Sequence, residues 1–332
     1  MRKVYIFGNG LGMALSPQSY NLNDVMSEVW NSNILEAKQK ALMSACLPNG
    51  AKTPNSEEQL ETLQDMVSAC EVLLDVKLGE EEHWLTLEGQ KFPEAVHNFS
   101  FLVARAMHLA HRIKEGNQSK RCKLPEDFVT PLRDAVRENH CHVATLNYDG
   151  LLSSALSTLT PQESAEPILF DGFVDGKFDR VNLFRTKSRG GWYLHLHGCP
   201  LFVDRSKAKP QKMSERTLIR KSKSLKNVGK HVVLTHFERK PGVIARSEIL
   251  STYWEFLERA IEESEEIYFF GYSGNDRHLN RLVAQKRSNK RVQVIEWLGV
   301  GNKPIREKFW AEQLGDAVEI DLREDVLTFA NW

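Results

Sequence analysis

The chain has 332 residues, 41% of them apolar, with 44 basic and 44 acidic side chains. That length can bury one large core or two smaller ones, and a formal charge of zero excludes a protein that holds nucleic acid through its overall field, leaving only local patches. No window approaches the ~18–20 continuous apolar residues that cross a bilayer. The opening MRKVYIFGNG holds too short an apolar run for a secretory leader, so a soluble cytoplasmic protein is expected. Five cysteines, Cys46, Cys70, Cys122, Cys141 and Cys199, are odd in number, and no two have metal-ligand spacing. They point to a reducing compartment and to no structural zinc.

VYIF, residues 4–7, is a strand ending on the turn Gly8-Asn9-Gly10, after which LGMAL opens a helix. Residues 25–46 are mostly helical in pattern, and LPNGAKTPN, residues 47–55, is a loop. Ser56 with Gln59 three residues on offers a helix cap, ahead of Leu60, Leu63, Val67, Cys70 and Leu74 at helical spacing. Another helix over 93–113 carries Val96, Phe99, Val103 and Met107 along one side, and Pro125 opens one running to about Asn139. Residues 31–139 thus read as a helical insertion subdomain.

The period then changes. HVATL, residues 142–146, is a compact strand, and 167–198 hold two or three short strands with glycine turns, the last being GGWYLHLHG. Residues 205–230 are a basic linker with ten Lys/Arg and one acidic residue, and VVLTH, 232–236, is a strand candidate. The helix STYWEFLERAIEESEE leads into IYFFGYSGND, then the helix HLNRLVAQKR, the strand VQVIEW at 292–297 and a helix over 304–313. Alternating apolar strands and helices predict an α/β fold, a Rossmann-like parallel sheet covered on both faces. Residues 1–30 and 140–332 form it, with the helical insertion after the first strand and turn.

Three strands run out into polar or glycine residues: YIF into Gly8-Asn9-Gly10, VATL into Asn147-Tyr148-Asp149, and YFF into Gly271-Tyr272-Ser273-Gly274-Asn275-Asp276. Ligands of open parallel sheets bind outside the carboxyl ends of the strands, so these three ends would meet at a nucleotide-sized pocket. Gly8 and Gly10 let a backbone approach a pyrophosphate, or they make a tight turn. Asn147, Asp149 and Asp276 also read as helix caps, Tyr148 as a packing residue and Ser273 as a partner for turn amides. His195 and His197 share one face if the strand continues through both; with Cys199 they are a sparse candidate metal set. His195 reads as a hydrogen-bonded core residue, and the turn implied by Gly198 exposes His197 more.

There is no G-x-x-x-x-G-K-[ST], no H-E-x-x-H and no G-x-S-x-G, which argues against a P-loop ATPase, a zincin and a serine hydrolase of that type. An amide, a carboxylate and an imidazole in a dinucleotide pocket suit cleavage or transfer at a glycosidic bond. There a nucleophile must be oriented and an oxocarbenium-like carbon stabilised, and histidine can move a proton near neutral pH.

The glycine-rich first turn, the N-Y-D strand end, the strand closing in His-Gly and the late G-Y-S-x-x-D together resemble the SIR2-like (sirtuin-like) NAD-hydrolase domains of bacterial anti-phage defence systems. The resemblance implies that Gly8 and Gly10 lie against the diphosphate of NAD⁺, the substrate. It implies that Asn147 orients the attacking water, that Asp149 lies on the nicotinamide side, and that His197 acts on the ribose hydroxyl. Gly271, Ser273 and Asp276 would line the adenosine half, with Tyr148 in the cofactor-binding set. The chain departs from the family's G-A-G-x-S start with G-N-G-L-G: Asn9 stands for the small residue, where its amide can reach the pocket, and Gly12 for the serine. The four-cysteine zinc module of deacylating sirtuins is missing, so no metal is expected.

The implied activity is NAD⁺ glycohydrolysis to nicotinamide and ADP-ribose, depleting NAD⁺ in defence. Alternatives are a deacylase or ADP-ribosyl transferase, and a regulatory subunit that binds NAD or ADP-ribose. Relatives of this kind are held inactive until triggered, as homo-oligomers or with a partner such as a hexameric DNA-translocating ATPase. The basic linker, without aromatics for base stacking, reads as a solvated loop first, as a surface for an acidic partner next, and as a nucleic-acid contact last.

Overall fold

The computed structural model describes residues 1–74, 76, 84–110, 112–115, 118–121, 123–161, 167–185, 189–204, 209–220 and 228–332, with 112–115 and 118–121 as backbone only. The strands among them are β1 Lys3–Phe7, β2 Arg112–Glu115, β3 Gln118–Arg121, β4 His142–Thr145, β5 Leu169–Phe170, β6 Phe173–Val174, β7 Lys177–Phe178, β8 Gly191–His195, β9 Phe202–Val203, β10 Gln211–Lys212, β11 Glu266–Phe270, β12 Arg291–Trp297 and β13 Val318–Arg323. Seven make one sheet in the order β13-β12-β11-β1-β4-β8-β5, parallel throughout. β6, β7, β10 and β9 form a small antiparallel sheet, and β2 and β3 a hairpin.

The unbroken apolar run of β1 follows from its position between β11 and β4. Val4 and Ile6 enter one core cluster with the helices Leu22–Asn31, Glu57–Leu74, Leu87–Leu109 and Glu248–Glu263, whereas Tyr5 and Phe7 enter another with Glu126–Asn139. Alternate side chains of one strand therefore feed cores on both faces, as a parallel sheet covered on each side requires. The helix Glu126–Asn139 sits on the sheet through Phe128, Leu132 and Val136, as the crossover into β4, although it falls within residues 31–139.

From β1 the chain crosses to β4 and β8 on one side, then returns to β11 on the other and continues to β12 and β13. The direction reverses between β1 and β11, which makes their carboxyl ends the topological switch point of the sheet.

Several expectations need correction. The pattern over 25–46 resolves into two helices, Leu22–Asn31 and Ala37–Cys46, because Ser32 ends the first in extended backbone. VVLTH forms no strand. Val232 makes an isolated bridge to Gly198, and the Val233 backbone is spent on the His197 carbonyl and on the Tyr148 hydroxyl. Of the basic linker, 209–220 and 228–230 are described. The first of these is ordered structure, β10 and the helix Glu215–Arg220, pinned by fully buried Leu218 and by Lys212 on buried Asp171 at 2.8 Å. The rest of that linker, like Cys122, lies outside the described residues. β13 and the β2–β3 hairpin were not expected at all. No helix among the described residues is long and apolar enough to cross a membrane.

Candidate active site

A cavity of about 840 Å³ opens over the carboxyl ends of β1, β4, β11, β12 and β13. It is lined by nine of the ten expected residues: Gly8, Asn9, Gly10, Asn147, Tyr148, His197, Gly271, Ser273 and Asp276. Asp149 is the exception. It is buried, its Oδ1 accepts from the Leu151 amide at 2.9 Å, and its Oδ2 has no hydrogen-bond partner. Burial pushes its carboxyl up to about 6, with the Leu151 amide, the Asn147 side chain and its own amide pulling the other way. The bond to the Leu151 amide is an Asx turn just ahead of the helix Leu151–Ala155, whose N-cap is Gly150 and carries no side-chain cap.

Two loops interlock to make the cavity floor. The Gly8 amide donates to Phe270 O at 2.9 Å and the Gly10 amide to Gly271 O at 2.8 Å. A Cβ on Gly8 would stand 2.6 Å from the Tyr272 Cα, and one on Gly10 would stand 2.6 Å from the Gly271 Cα. Gly271 itself has φ +57°. These glycines are needed first so that the loops after β1 and β11 can pass one another at the switch point. Two of the amides a diphosphate could have used are already committed. Asn9 donates to Tyr20 O at 2.8 Å and keeps Oδ1 buried without a partner, while Gly12 leaves room for the Tyr20 ring, which a Cβ would meet at 2.7 Å.

Asn147 follows β4 directly. Its Nδ2 donates to Gly8 O at 2.9 Å, which fixes the amide plane and leaves the buried Oδ1 without a hydrogen-bond partner. Tyr148 lines the wall but is tied down at both ends. Its hydroxyl donates to Val233 O in a short hydrogen bond, and its carbonyl meets His108 Nδ1 at 3.1 Å.

β8 ends at His195, so His195 and His197 do not share a strand face. Gly198, with φ +83°, turns the chain against the His231 carbonyl, which a Cβ would approach to 1.6 Å. That turn carries His197 into the cavity. His195 stays in the core, edge-on to the Phe202 ring, and neither of its ring nitrogens is hydrogen-bonded, contrary to expectation. Burial drives its imidazole well below the usual range, so it is neutral. Among the described residues, His195, His197 and Cys199 form no metal-ligand group. The group with ligand atoms within 4.8 Å of one another is Glu61, His236 and Glu238, and there the Arg239 guanidinium already lies 3.3 Å from Glu61.

The late motif supplies a partner for His197. Asp276 Oδ2 lies 2.8 Å from His197 Nε2 and 3.4 Å from Lys240 Nζ, while Oδ1 accepts from the His278 and Leu279 amides at 3.0 and 3.1 Å, capping the helix Arg277–Lys286. Burial opposes a charge on Asp276, but His197, Lys240 and the Leu279 amide hold its carboxyl well below the usual range. Burial and then the Lys240 charge lower the His197 imidazole, with Asp276 pulling it back up. With an anionic acceptor on Nε2, that nitrogen carries the proton and Nδ1 is the basic one. Asp276 was expected in the adenosine half; it sits beside the imidazole. The loop that delivers it is braced by Tyr272, whose hydroxyl bonds the Asp276 backbone and Asn280.

At the far end, Ser273 and Asn275 are exposed on the rim. Beyond them lie Trp297, 59% exposed, with its indole seated over Gly299, and Glu296, buried and gripped by Arg306, whose Nε and Nη2 each donate to one carboxylate oxygen. Lys240, Glu57, Trp297 and Glu296 were missed. Nothing local marks Lys240, whose carboxylate partner is 36 residues on; Glu296 and Trp297 end a strand that was recognised, where the same strand-end argument applied.

Residues 142–314, more than half of the chain, match the model of the SIR2-like domain. The chain belongs to the SIR2-like domain family. A solved structure from work on the mechanism and regulation of Sir2 enzymes aligns over 98% of this chain and 90% of its own, at 12% identity and a TM-score of 0.37. At that level it carries no argument about this chain's site. No curated protein sequence matches. Membership supports NAD binding, and the matched span holds Asn147, His197, Lys240 and Asp276 but begins after Gly8 and Gly10.

Proposed function

We propose that this SIR2-like domain is an NAD⁺ glycohydrolase. The observation that carries the reading is the meeting of Asn147, with an unpartnered Oδ1, and His197, with a basic Nδ1, in one cavity at the switch point of the sheet. About 840 Å³ lies within the ~300–1,000 Å³ of small-molecule sites. In the hydrolysis, the bond between ribose C1′ and the nicotinamide nitrogen breaks, and its electron pair stays with nicotinamide and cancels the ring's positive charge. Water adds to C1′ and one proton is released. Asn147 Oδ1 is an acceptor that orients the water or a ribose hydroxyl, and His197 Nδ1 takes the proton. The lowered basicity of His197 keeps it unprotonated at neutral pH.

The cavity also separates two ends, the histidine and amide at one and the exposed indole of Trp297 at the other, as a dinucleotide needs. On the same reading the activity depletes NAD⁺ in anti-phage defence, and self-assembly or a partner protein gates it.

The test is mass-spectrometric detection of nicotinamide and ADP-ribose after the purified chain meets NAD⁺ alone, beside Asn147→Ala. Both products from the parent and neither from a folded variant are expected. Turnover that survives the substitution refutes the role of Asn147. NAD⁺ binding without turnover, alone and with the product of a neighbouring gene, means a binding subunit instead.

A further inference from the structure

We infer that Asp276 and Lys240 are positioning residues for His197: the carboxylate fixes the imidazole with its proton on Nε2, and the ammonium holds that carboxylate in place while setting the basicity of Nδ1. The inference rests on the glycohydrolase reading only for what the histidine does, not for the geometry.

Asp276 is 3% exposed and Lys240 6%, so neither is a solvated surface charge. Four donors converge on the carboxylate: His197 Nε2 and Lys240 Nζ on Oδ2, and two amides on Oδ1. A carboxylate so surrounded is ionised and can only accept. An imidazole facing it must present N–H, and its other nitrogen becomes the base. Because Oδ1 is anchored to the first turn of the helix Arg277–Lys286, the imidazole is referenced to a rigid element rather than to a loop.

Lys240 stands on the helix Lys240–Arg246 and has a second acceptor in Glu57, 3.9 Å away, on the helix Glu57–Leu74. His278 also faces the pair. The titratable groups around His197 are therefore Asp276, Lys240, Glu57 and His278, and the two nearest act in opposite senses. Asp276 stabilises the imidazolium and Lys240 opposes it. Opposite shifts follow from any two opposite charges beside the ring, so positioning is read from the tautomer, which the carboxylate on Nε2 fixes, and from the split of kcat from KM.

The experiment uses the full chain with ¹⁵N-labelled histidine. The ring nitrogens of His197 are assigned with His197→Gln and followed by NMR through a pH titration in the parent, Asp276→Asn and Lys240→Met. Asparagine keeps the helix cap and methionine keeps the aliphatic stem. The parent is expected to hold the Nε2–H tautomer, Lys240→Met to keep it, and Asp276→Asn to lose it. The His197 midpoint rises in Lys240→Met and falls in Asp276→Asn, each by about one pH unit. With NAD⁺, kcat in Asp276→Asn falls about 100-fold or more while KM moves less, and the acid limb of the rate profile follows the NMR midpoints. An Nδ1–H tautomer in the parent, or midpoints that move together or not at all, overturns the inference. Opposite shifts with the Nε2–H tautomer, in a chain that never turns NAD⁺ over either alone or with the product of a neighbouring gene, leave the inference standing and overturn the glycohydrolase reading instead.

Discussion

Asp149 offers a prediction in which energetics and placement are tested together. Its carboxyl is buried, has one amide on Oδ1 and nothing on Oδ2, and is pushed from the ordinary 3.8 to about 6. The folded state therefore holds this proton more tightly than the unfolded chain does. Stability from this group is fully present below about pH 4 and is lost as the pH rises through 6. At about 1.4 kcal/mol per pH unit of difference, the loss by pH 7 is about 3 kcal/mol. Asp149→Asn keeps an oxygen for the Leu151 amide and never ionises. The difference in unfolding free energy between variant and parent should then grow in the variant's favour by about 3 kcal/mol from pH 3 to pH 7. Urea unfolding followed by far-UV circular dichroism at half-unit pH steps measures it. A constant offset reflects only how the amide fits; the slope is diagnostic. A difference that stays flat, or falls with rising pH, would show that Asp149 is ionised and partnered in the folded protein, as a pocket residue would be.

Replacing Gly198 with alanine should cost about 3 kcal/mol or more, since φ is +83° and the new Cβ would lie 1.6 Å from the His231 carbonyl. A normal urea midpoint with NAD⁺ binding retained would refute that account of the His197 turn. Arg306→Met leaves the Glu296 carboxylate buried without its guanidinium and should cost about 3–5 kcal/mol. Much of that should return in the Arg306→Met, Glu296→Gln double variant, and additive losses would argue against the pairing.

The parts of the fold legible in the sequence are those where one physical demand dominates. β1, β4, β11 and β12 are buried on both faces, so their apolar runs stand out whatever surrounds them. β13 alternates Val318, Ile320 and Leu322 with Glu319, Asp321 and Arg323 at the edge of the sheet, and a weaker pattern over six residues is easily passed by. VVLTH has the composition of a strand, but its backbone groups are taken by His197 and Tyr148. Composition cannot register which partner reaches an amide first. The same limit applies at the site. That Asn147 and His197 converge follows from strand ends and one glycine, whereas the Lys240–Asp276 contact joins a short helix to a cap 36 residues away and leaves no local trace.

The glycines of the first turn show how a correct position can rest on an incomplete reason. G-x-G after a strand is ordinarily read as room for a phosphate, and here Gly8 and Gly10 do line the cavity. Their amides, however, are hydrogen-bonded to Phe270 and Gly271, and any Cβ would strike the backbone of the opposite loop. The sequence pattern therefore reports first on two loops crossing where the sheet reverses direction. The crossing makes the cavity, because each loop bars the other from filling the space above the strand ends. Gly271, at φ +57°, belongs to the same device and sits five residues before Asp276. A single packing requirement thus sets the floor of the cavity, the place of the Asn147 amide bonded to Gly8 O, and the start of the loop that carries the carboxylate to His197.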